Sequence, residues 1–167
     1  MSGAKVLVVD AGGRGNAVAH AFARSEIVEI VYVAPGNAGS EMIEKCKLAA
    51  KDGRQLKSIP ELLNFAKSEG IDLTFVGPEG HLSDGIVNTF HEDGQRIVGP
   101  RREAAILEGS KCYTKDLLKR LNVPVPPCRN FSDPEAAKEY ARQSYAENPE
   151  SGLVVKADGL AAGKGSV

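Results

Sequence analysis

Short apolar runs recur through the first two-thirds of the chain, each closed by glycine or proline. Val6-Leu7-Val8-Val9 is apolar without a break, the pattern of a parallel strand covered on both faces. It ends in Asp10-Ala11-Gly12-Gly13-Arg14-Gly15. Residues 16–24 then place Ala17, Val18, Ala21 and Phe22 at helical spacing. Ile30-Val31-Tyr32-Val33 reads as a second strand, stopped by Pro35-Gly36-Asn37-Ala38-Gly39. Residues 42–50 fit a short helix followed by irregular chain. Ser58 or Ile59 before Pro60 marks a helix start, with Glu61 at its positive end. Leu62, Leu63, Phe65 and Ala66 supply that helix's buried stripe, and Gly70 stops it. Residues 71–76 form a third strand, ending at Gly77-Pro78-Glu79-Gly80. A helix over 83–92 ends by Gly94, and Arg96-Ile97-Val98 is a fourth strand ending at Gly99-Pro100.

This alternation predicts a parallel sheet with helices on both faces. Right-handed crossovers put the C-terminal loop of every strand on one edge, where ligands of such sheets bind. Residues 12–15, 35–39, 77–80 and 99–100 therefore collect there. From Arg101 the pattern changes. Residues 102–121 read as helix interrupted near Gly109-Ser110, with Ser110 capping a segment that carries Leu117, Leu118 and Leu121. Asn122-Val123-Pro124-Val125-Pro126-Pro127 cannot be helix and reads as a linker. The expected division is a domain over 1–122 and a partial second domain over 123–167. In the latter, Asp133 caps a helix running to about residue 145. Residues 153–157 form a strand feeding a glycine-rich hairpin.

Bulk numbers narrow the function classes. A chain of 167 residues with 42% hydrophobic and 26% charged positions is ordinary for a globular protein. A formal charge of −1 gives no argument for nucleic acid or an anionic membrane as partner, and neither is expected, so any anion binding comes from local groups. No long apolar span or signal pattern is seen, which places the chain in the cytoplasm. Cys46, Cys112 and Cys128 form no C-x-x-C pair and read as reduced thiols. His20, His81 and His91 lack metal-ligand spacing.

The chemistry concentrates in two stretches. Lys156-Ala157-Asp158-Gly159-Leu160-Ala161-Ala162-Gly163-Lys164-Gly165 carries three glycines and two lysines. Backbone without Cβ approaches a ligand closely, and successive N–H groups make an anion-binding concavity. The stretch reads as a phosphate-gripping hairpin. It is not a P-loop: Gly163-Lys164 comes one residue too early, and Gly165 stands where Ser or Thr belongs. Lys156 interrupts an otherwise apolar strand, and pairing with a phosphate would offset its burial. The second stretch, Gly12-Gly13-Arg14-Gly15, sits between strand and helix and suits an anion at a helix N-terminus. As a dinucleotide fingerprint it fails, because Val18 occupies the last glycine place and Ala34-Pro35 stands where the ribose-binding acid belongs. Glu79, on the same edge, offers a carboxylate to sugar hydroxyls or an amine. Lys111 and Lys115 share one helix face.

Taken together, Gly12-Gly13-Arg14, residues 34–39, Val76-Gly77-Pro78-Glu79, residues 107–111 with Thr114-Lys115-Asp116, and residues 156–165 carry a resemblance. The chain resembles the N-terminal part of the glycinamide ribonucleotide synthetase (phosphoribosylamine–glycine ligase) family of the ATP-grasp superfamily. The motifs keep the family's order and spacing over essentially the whole chain. The resemblance implies an α/β fold: a parallel-sheet, Rossmann-like pre-ATP-grasp domain followed by the start of an ATP-grasp lid domain. It implies a ligase of purine biosynthesis that joins glycine to phosphoribosylamine through a glycyl phosphate, using ATP and Mg²⁺. Gly12, Gly13, Arg14, Asn37 and Glu79 would then bind phosphoribosylamine. Lys111, Lys156, Gly159, Gly163, Lys164 and Gly165 would bind the nucleotide. The metal's ligands would lie beyond residue 167, in the same or a separate chain, so that this chain alone does not catalyse.

Two departures stand out. The family usually follows Gly-Gly-Arg with Glu-His, whereas Gly15-Asn16 stand here, removing a carboxylate and an imidazole from the edge. After Gly-Pro-Glu the family usually has Ala-Pro-Leu, and here Gly80-His81-Leu82 occur. The rival reading is a stand-alone nucleotide- or sugar-phosphate-binding module without catalysis.

Overall fold

The computed structural model describes residues 3–51, 53–150, 152–161 and 164–166. Its backbone forms two compact units, Met1–Ala105 and Ile106–Val167. The first unit runs β1 (Ala4–Asp10), α1 (Gly13–Ala23), β2 (Val28–Pro35), a 3-10 turn (Ser40–Met42), β3 (Cys46–Leu48), β4 (Ala50–Lys51), β5 (Arg54–Gln55), α2 (Ile59–Glu69), β6 (Leu73–Val76), α3 (Glu79–Ser83), α4 (Ile86–Glu92) and β7 (Ile97–Val98). Strands β4 and β5 pair as a small antiparallel ribbon. The main sheet has the order β3-β2-β1-β6-β7, and each neighbouring pair is parallel.

The sheet is built around β1. Its residues from Val6 to Asp10 are all buried, because parallel neighbours flank it and helices cover both faces. Period-two alternation splits it cleanly. Leu7 and Val9 join Leu62, Ala66, Ile86 and Phe90 in one core, while Val6 and Val8 join Ala19, Ala23 and Val31 in the other. Each large apolar side chain so enclosed contributes about 1.5–3 kcal/mol. The order of strands reverses at β1: the chain moves outward to β2 and β3, then returns to β6 on the other side. The ends of β1 and β6 therefore make the crevice expected of such a switch point.

Local rules place the helices. Ser58 and Glu61 form a capping box at the start of α2, and Gly70 in the left-handed region ends it. The second unit, with α5 (Arg102–Gly109) leading into it, contains α6 (Lys111–Arg120) and α7 (Pro134–Glu147). Ser110 caps α6 and Asp133 caps α7. Neither α6 nor α7 has a buried residue, and Leu121, Val123, Phe131, Tyr145, Val154, Val155 and Leu160 are exposed. No helix among the described residues is long and apolar enough to cross a membrane.

The structure alters several sequence-based expectations. Helix α1 begins at Gly13, so the glycine turn is the helix's own first turn. Its buried residues are Gly15, Ala19 and Ala23, while Ala17 and Ala21 face solvent. Residues 42–50 hold edge strand β3, which pairs with β2 from Val31 to Val33. The helix expected over 83–92 is α4, which starts only at Ile86 after Gly85 at φ +88°, while a separate short helix, α3, takes Glu79 and Gly80 out of the expected turn. A Cβ on Gly85 would strain the backbone and strike the Arg102 guanidinium. Residues 153–157 are not a strand. Only an isolated antiparallel bridge joins Lys156 to Ser166, and Val154, Val155 and Lys156 are exposed. A two-stranded hairpin without a hydrophobic face to cover is marginal by itself, so apolar content alone did not make a ladder.

Candidate functional site

At the C-terminal end of β1 the chain turns straight into α1. Gly12 is the N-cap residue and, as a glycine, has no side chain to cap the helix, and no acidic residue lies in the first turn. The cap comes from upstream. Asp10 is 5% exposed, and its Oδ1 accepts the Gly12 N–H at 2.7 Å. Its Oδ2 accepts Arg14 Nε–H at 3.0 Å. Arg14 in turn donates from Nη1 to Glu79 Oε1 at 3.1 Å. One guanidinium thus joins the end of β1 to the first residue of α3, which follows β6.

Electrostatics follow from this geometry. The Arg14 guanidinium is pushed above its ordinary pKa, first by the bond to Glu79 and then by the bond to Asp10. The Glu79 carboxyl is held below the ordinary range, first by its own backbone N–H and then by Arg14. Two carboxylates against one guanidinium leave the trio formally one negative charge. A phosphate pressed onto it is disfavoured, whereas an amine or hydroxyl donor finds Glu79 ready to accept. The positive place for a phosphate is the first turn of α1, where the helix's N–H groups point outward.

Asn37 closes the same rim from the end of β2. Its Nδ2 donates to the Ala11 carbonyl at 3.0 Å, and its Oδ1 accepts from Asn16 Nδ2 at 3.0 Å and from the Gly39 N–H at 2.9 Å. Ser40 Oγ–H donates to Asn16 Oδ1 at 2.7 Å. Asn16 therefore ties α1 to the β2 loop. Of the residues read from sequence, Gly12, Gly13, Arg14, Asn37 and Glu79 come together here. His81 turns elsewhere, its Nε2 lying 2.9 Å from the Lys57 carbonyl oxygen.

The second unit holds the other group of residues. The Ala157 N–H donates to the Gly165 carbonyl at 2.8 Å, and the Lys164 N–H donates to Ala161 at 2.8 Å, which closes a hairpin. Asp158 fastens the hairpin to the start of α6. It accepts Ser110 Oγ–H at 3.0 Å and the Cys112 N–H at 3.1 Å. The bond from Cys112 is the largest cause holding the Asp158 carboxyl below its ordinary range. Lys111 Nζ donates to the Gly159 carbonyl at 2.7 Å. Lys156 and Lys164 are exposed along the same hairpin, and a Cβ on Gly159 would meet open space. An open glycine turn flanked by two ammonium groups fits a phosphate chain in charge and in access. Gly163 lies outside the described residues.

The residues that sequence reading passed over are Asp10, Asn16, Ser40, Ser110 as a partner of Asp158, and Asp158 itself. Asp10 had a signal: an acid closing an apolar strand just before a glycine turn is costly to bury without partners. Asn16 entered only as a departure from the family pattern and Ser40 not at all, since their pairing depends on α1 and the β2 loop meeting in space.

Comparison with known proteins gives a consistent result. The phosphoribosylglycinamide synthetase N domain matches residues 4–108, and the ATP-grasp (A) domain of the same synthetase matches residues 109–167. Phosphoribosylamine–glycine ligase of Archaeoglobus fulgidus is 57% identical over 96% of this chain, which spans 34% of that relative. The chain thus covers about a third of the curated relatives it matches. The crystal structure of phosphoribosylamine–glycine ligase from Thermotoga maritima superposes with a TM-score of 0.66 at 26% identity, over 98% of this chain and 35% of that one. The biotin carboxylase domain of 2-oxoglutarate carboxylase from Hydrogenobacter thermophilus, solved with ADP–magnesium and bicarbonate, gives 0.72 at 18% identity, over 100% and 37%. The latter likeness concerns the fold alone.

Proposed function

This chain belongs to the phosphoribosylglycinamide synthetase family, and from that premise we propose that it carries the amine-substrate rim and part of the nucleotide clamp of a phosphoribosylamine–glycine ligase. ATP transfers its terminal phosphoryl group to the glycine carboxylate, giving glycyl phosphate and ADP. The amine of phosphoribosylamine attacks that carbonyl, phosphate leaves, and an amide remains. In this reading Gly12 and Gly13, at the first turn of α1, take the phosphate of phosphoribosylamine, Arg14 and Asn37 line the rim beside its ribose, and Glu79 accepts from the amine or a ribose hydroxyl. Lys111 fastens the glycine turn. Lys156 and Lys164, with Gly159, Gly163 and Gly165, grip the nucleotide's phosphates, where fixed positive charge stabilises phosphoryl transfer.

Among the described residues no group of three His, Cys, Asp or Glu side chains gathers to hold a metal ion. In this reading the nucleotide's magnesium is held by ligands outside these residues, in the same or a separate chain. The substrate-binding domain is taken over 1–122 and the partial lid over 123–167, in the cytoplasm.

The observation that supports this reading most is the Arg14–Glu79 pair at the switch point of the sheet, with Asn37 bonded to the Ala11 carbonyl beside it. Calorimetry with ribose 5-phosphate and with a non-hydrolysable ATP analogue tests it. Binding of the sugar phosphate that is lost on Glu79→Ala supports the assignment; no binding of either ligand overturns it. With ATP, glycine and phosphoribosylamine together, no turnover is expected from the 167-residue chain, and steady amide formation would refute that part.

A further inference from the structure

We propose that Asp10 is the positioning residue of the sugar-phosphate rim: it holds the Arg14 guanidinium and the first turn of α1 in one fixed arrangement, and the glycines at 15 and 77 exist to give it room. The ligand it serves rests on the functional reading above. The holding itself rests only on the packing.

Three observations carry the proposal. Asp10 is nearly enclosed, 5% exposed, at the end of the central strand. A carboxylate buried there is costly unless its oxygens are bonded, and each oxygen has a donor, the Gly12 N–H on one and Arg14 Nε–H on the other. The surroundings are cut to its shape. A Cβ on Gly15 would lie 2.5 Å from Asp10 Cβ, and one on Gly77 would lie 2.1 Å from Asp10 Oδ2. Neither glycine has the backbone angles that exclude a side chain, so close approach to Asp10 is what bars one.

The consequence concerns Arg14. Its side chain is 53% exposed, and a free arginine would sample many rotamers. With Nε fixed by Asp10 and Nη1 fixed by Glu79, two of its five donors are engaged among the described residues, and the outer edge stays aimed at the rim. Asp10 thus supplies from the strand a carboxylate that residue 15, a glycine, does not supply from the helix. The same carboxylate offsets the positive charge of Arg14 in the local field, so the rim favours a ligand with hydroxyls or an amine beside its phosphate over a bare anion.

The test uses the full chain and two readouts. Asp10→Asn keeps the size of the side chain and removes its charge; Gly77→Ala keeps Asp10 and displaces its Oδ2. Far-UV circular dichroism checks that each variant folds. In nitrogen-resolved NMR, the Arg14 Nε–H should be a protected, separate resonance in the unaltered chain and exchange with water in both variants. Ribose 5-phosphate should bind about tenfold more weakly to each, a coupling usual for members of one network. In an Arg14→Gln background, Asp10→Asn should add less than about twofold, because the path through Arg14 is already cut. An equal loss in both backgrounds, or an unchanged Nε–H signal, overturns the proposal. If the unaltered chain does not bind ribose 5-phosphate, the functional reading falls, and the Nε–H signal alone then decides whether Asp10 holds Arg14.

Discussion

Replacing Gly15 by alanine sets two effects of opposite sign against each other. Alanine is preferred to glycine inside helices by about 0.8–1 kcal/mol, so propensity alone makes Gly15→Ala stabilising. The packing opposes it. The new Cβ would stand 2.5 Å from Asp10 Cβ, 2.9 Å from its Cγ and 3.1 Å from its Oδ1. Carbon atoms in contact prefer about 3.5–4.0 Å. Both Cβ atoms are fixed to backbone, so relief requires α1 to retreat from β1 by about 1 Å. That helix packs through Gly15, Ala19 and Ala23, and overpacking of this kind costs about 1–3 kcal/mol. The packing cost wins: Gly15 lies in the first turn, where only a few tenths of the propensity are realised, so a net loss of about 0.5–2.5 kcal/mol is expected. Gly13→Ala is the control, because a Cβ there meets nothing within 4 Å. It should be neutral or stabilise by a few tenths of a kcal/mol, since first-turn positions realise only part of the propensity. Urea unfolding followed by far-UV circular dichroism measures both, as a shift in midpoint at constant slope. If Gly15→Ala unfolds at the same or higher urea than the parent, the close approach of α1 to Asp10 is not what selects glycine.

Further outcomes follow from single bonds. Ser58→Ala removes the oxygen that accepts the Glu61 N–H in the capping box; a loss of about 1 kcal/mol in urea unfolding is expected, and an unchanged midpoint would show the cap to be idle. The Glu79 carboxyl is held below its ordinary value of 4.5, chiefly by its own N–H and then by Arg14. A depressed folded-state pKa contributes stability that is complete above that ordinary value and is lost as pH falls through the folded one. Acid titration should therefore release Arg14 below the usual glutamate range, and Glu79→Gln should flatten that part of the stability profile; an identical profile would argue against the pair. Asp158→Asn should speed hydrogen exchange at the Cys112 amide, which Asp158 Oδ1 accepts, while exchange at the Ala66 and Leu7 amides stays as slow as before.

The sequence by itself determined the elements whose causes are local. The apolar run at Val6–Val9 marks a strand covered on both faces, because successive side chains point to opposite faces and all four are apolar. Ser58, Pro60 and Gly70 mark both ends of α2, because capping and φ preferences act within a turn. Glycine turns after three strands, read with the rule that parallel strands share a ligand edge, brought Gly12, Arg14, Asn37 and Glu79 to one rim. The motif string from 156 to 165 named the family before any contact was known.

Only the tertiary structure decided what those residues touch. The partnership of Asp10 with Arg14, and of Asn16 with Asn37 and Ser40, joins positions separated by loops, and no spacing rule encodes it. The inward face of α1 was read only in part: Val18 and Phe22 do pack against the core, but Gly15, Ala19 and Ala23, small residues that let α1 approach β1 closely, give little hydrophobic signal. Strand β3 was missed since its three residues, Cys46–Leu48, owe their conformation to the open edge of β2. The reverse held at Val154 and Val155, β-branched residues that pair with no strand among the described residues. Local chemistry sets which conformations are cheap, and burial against a particular neighbour sets which one is kept.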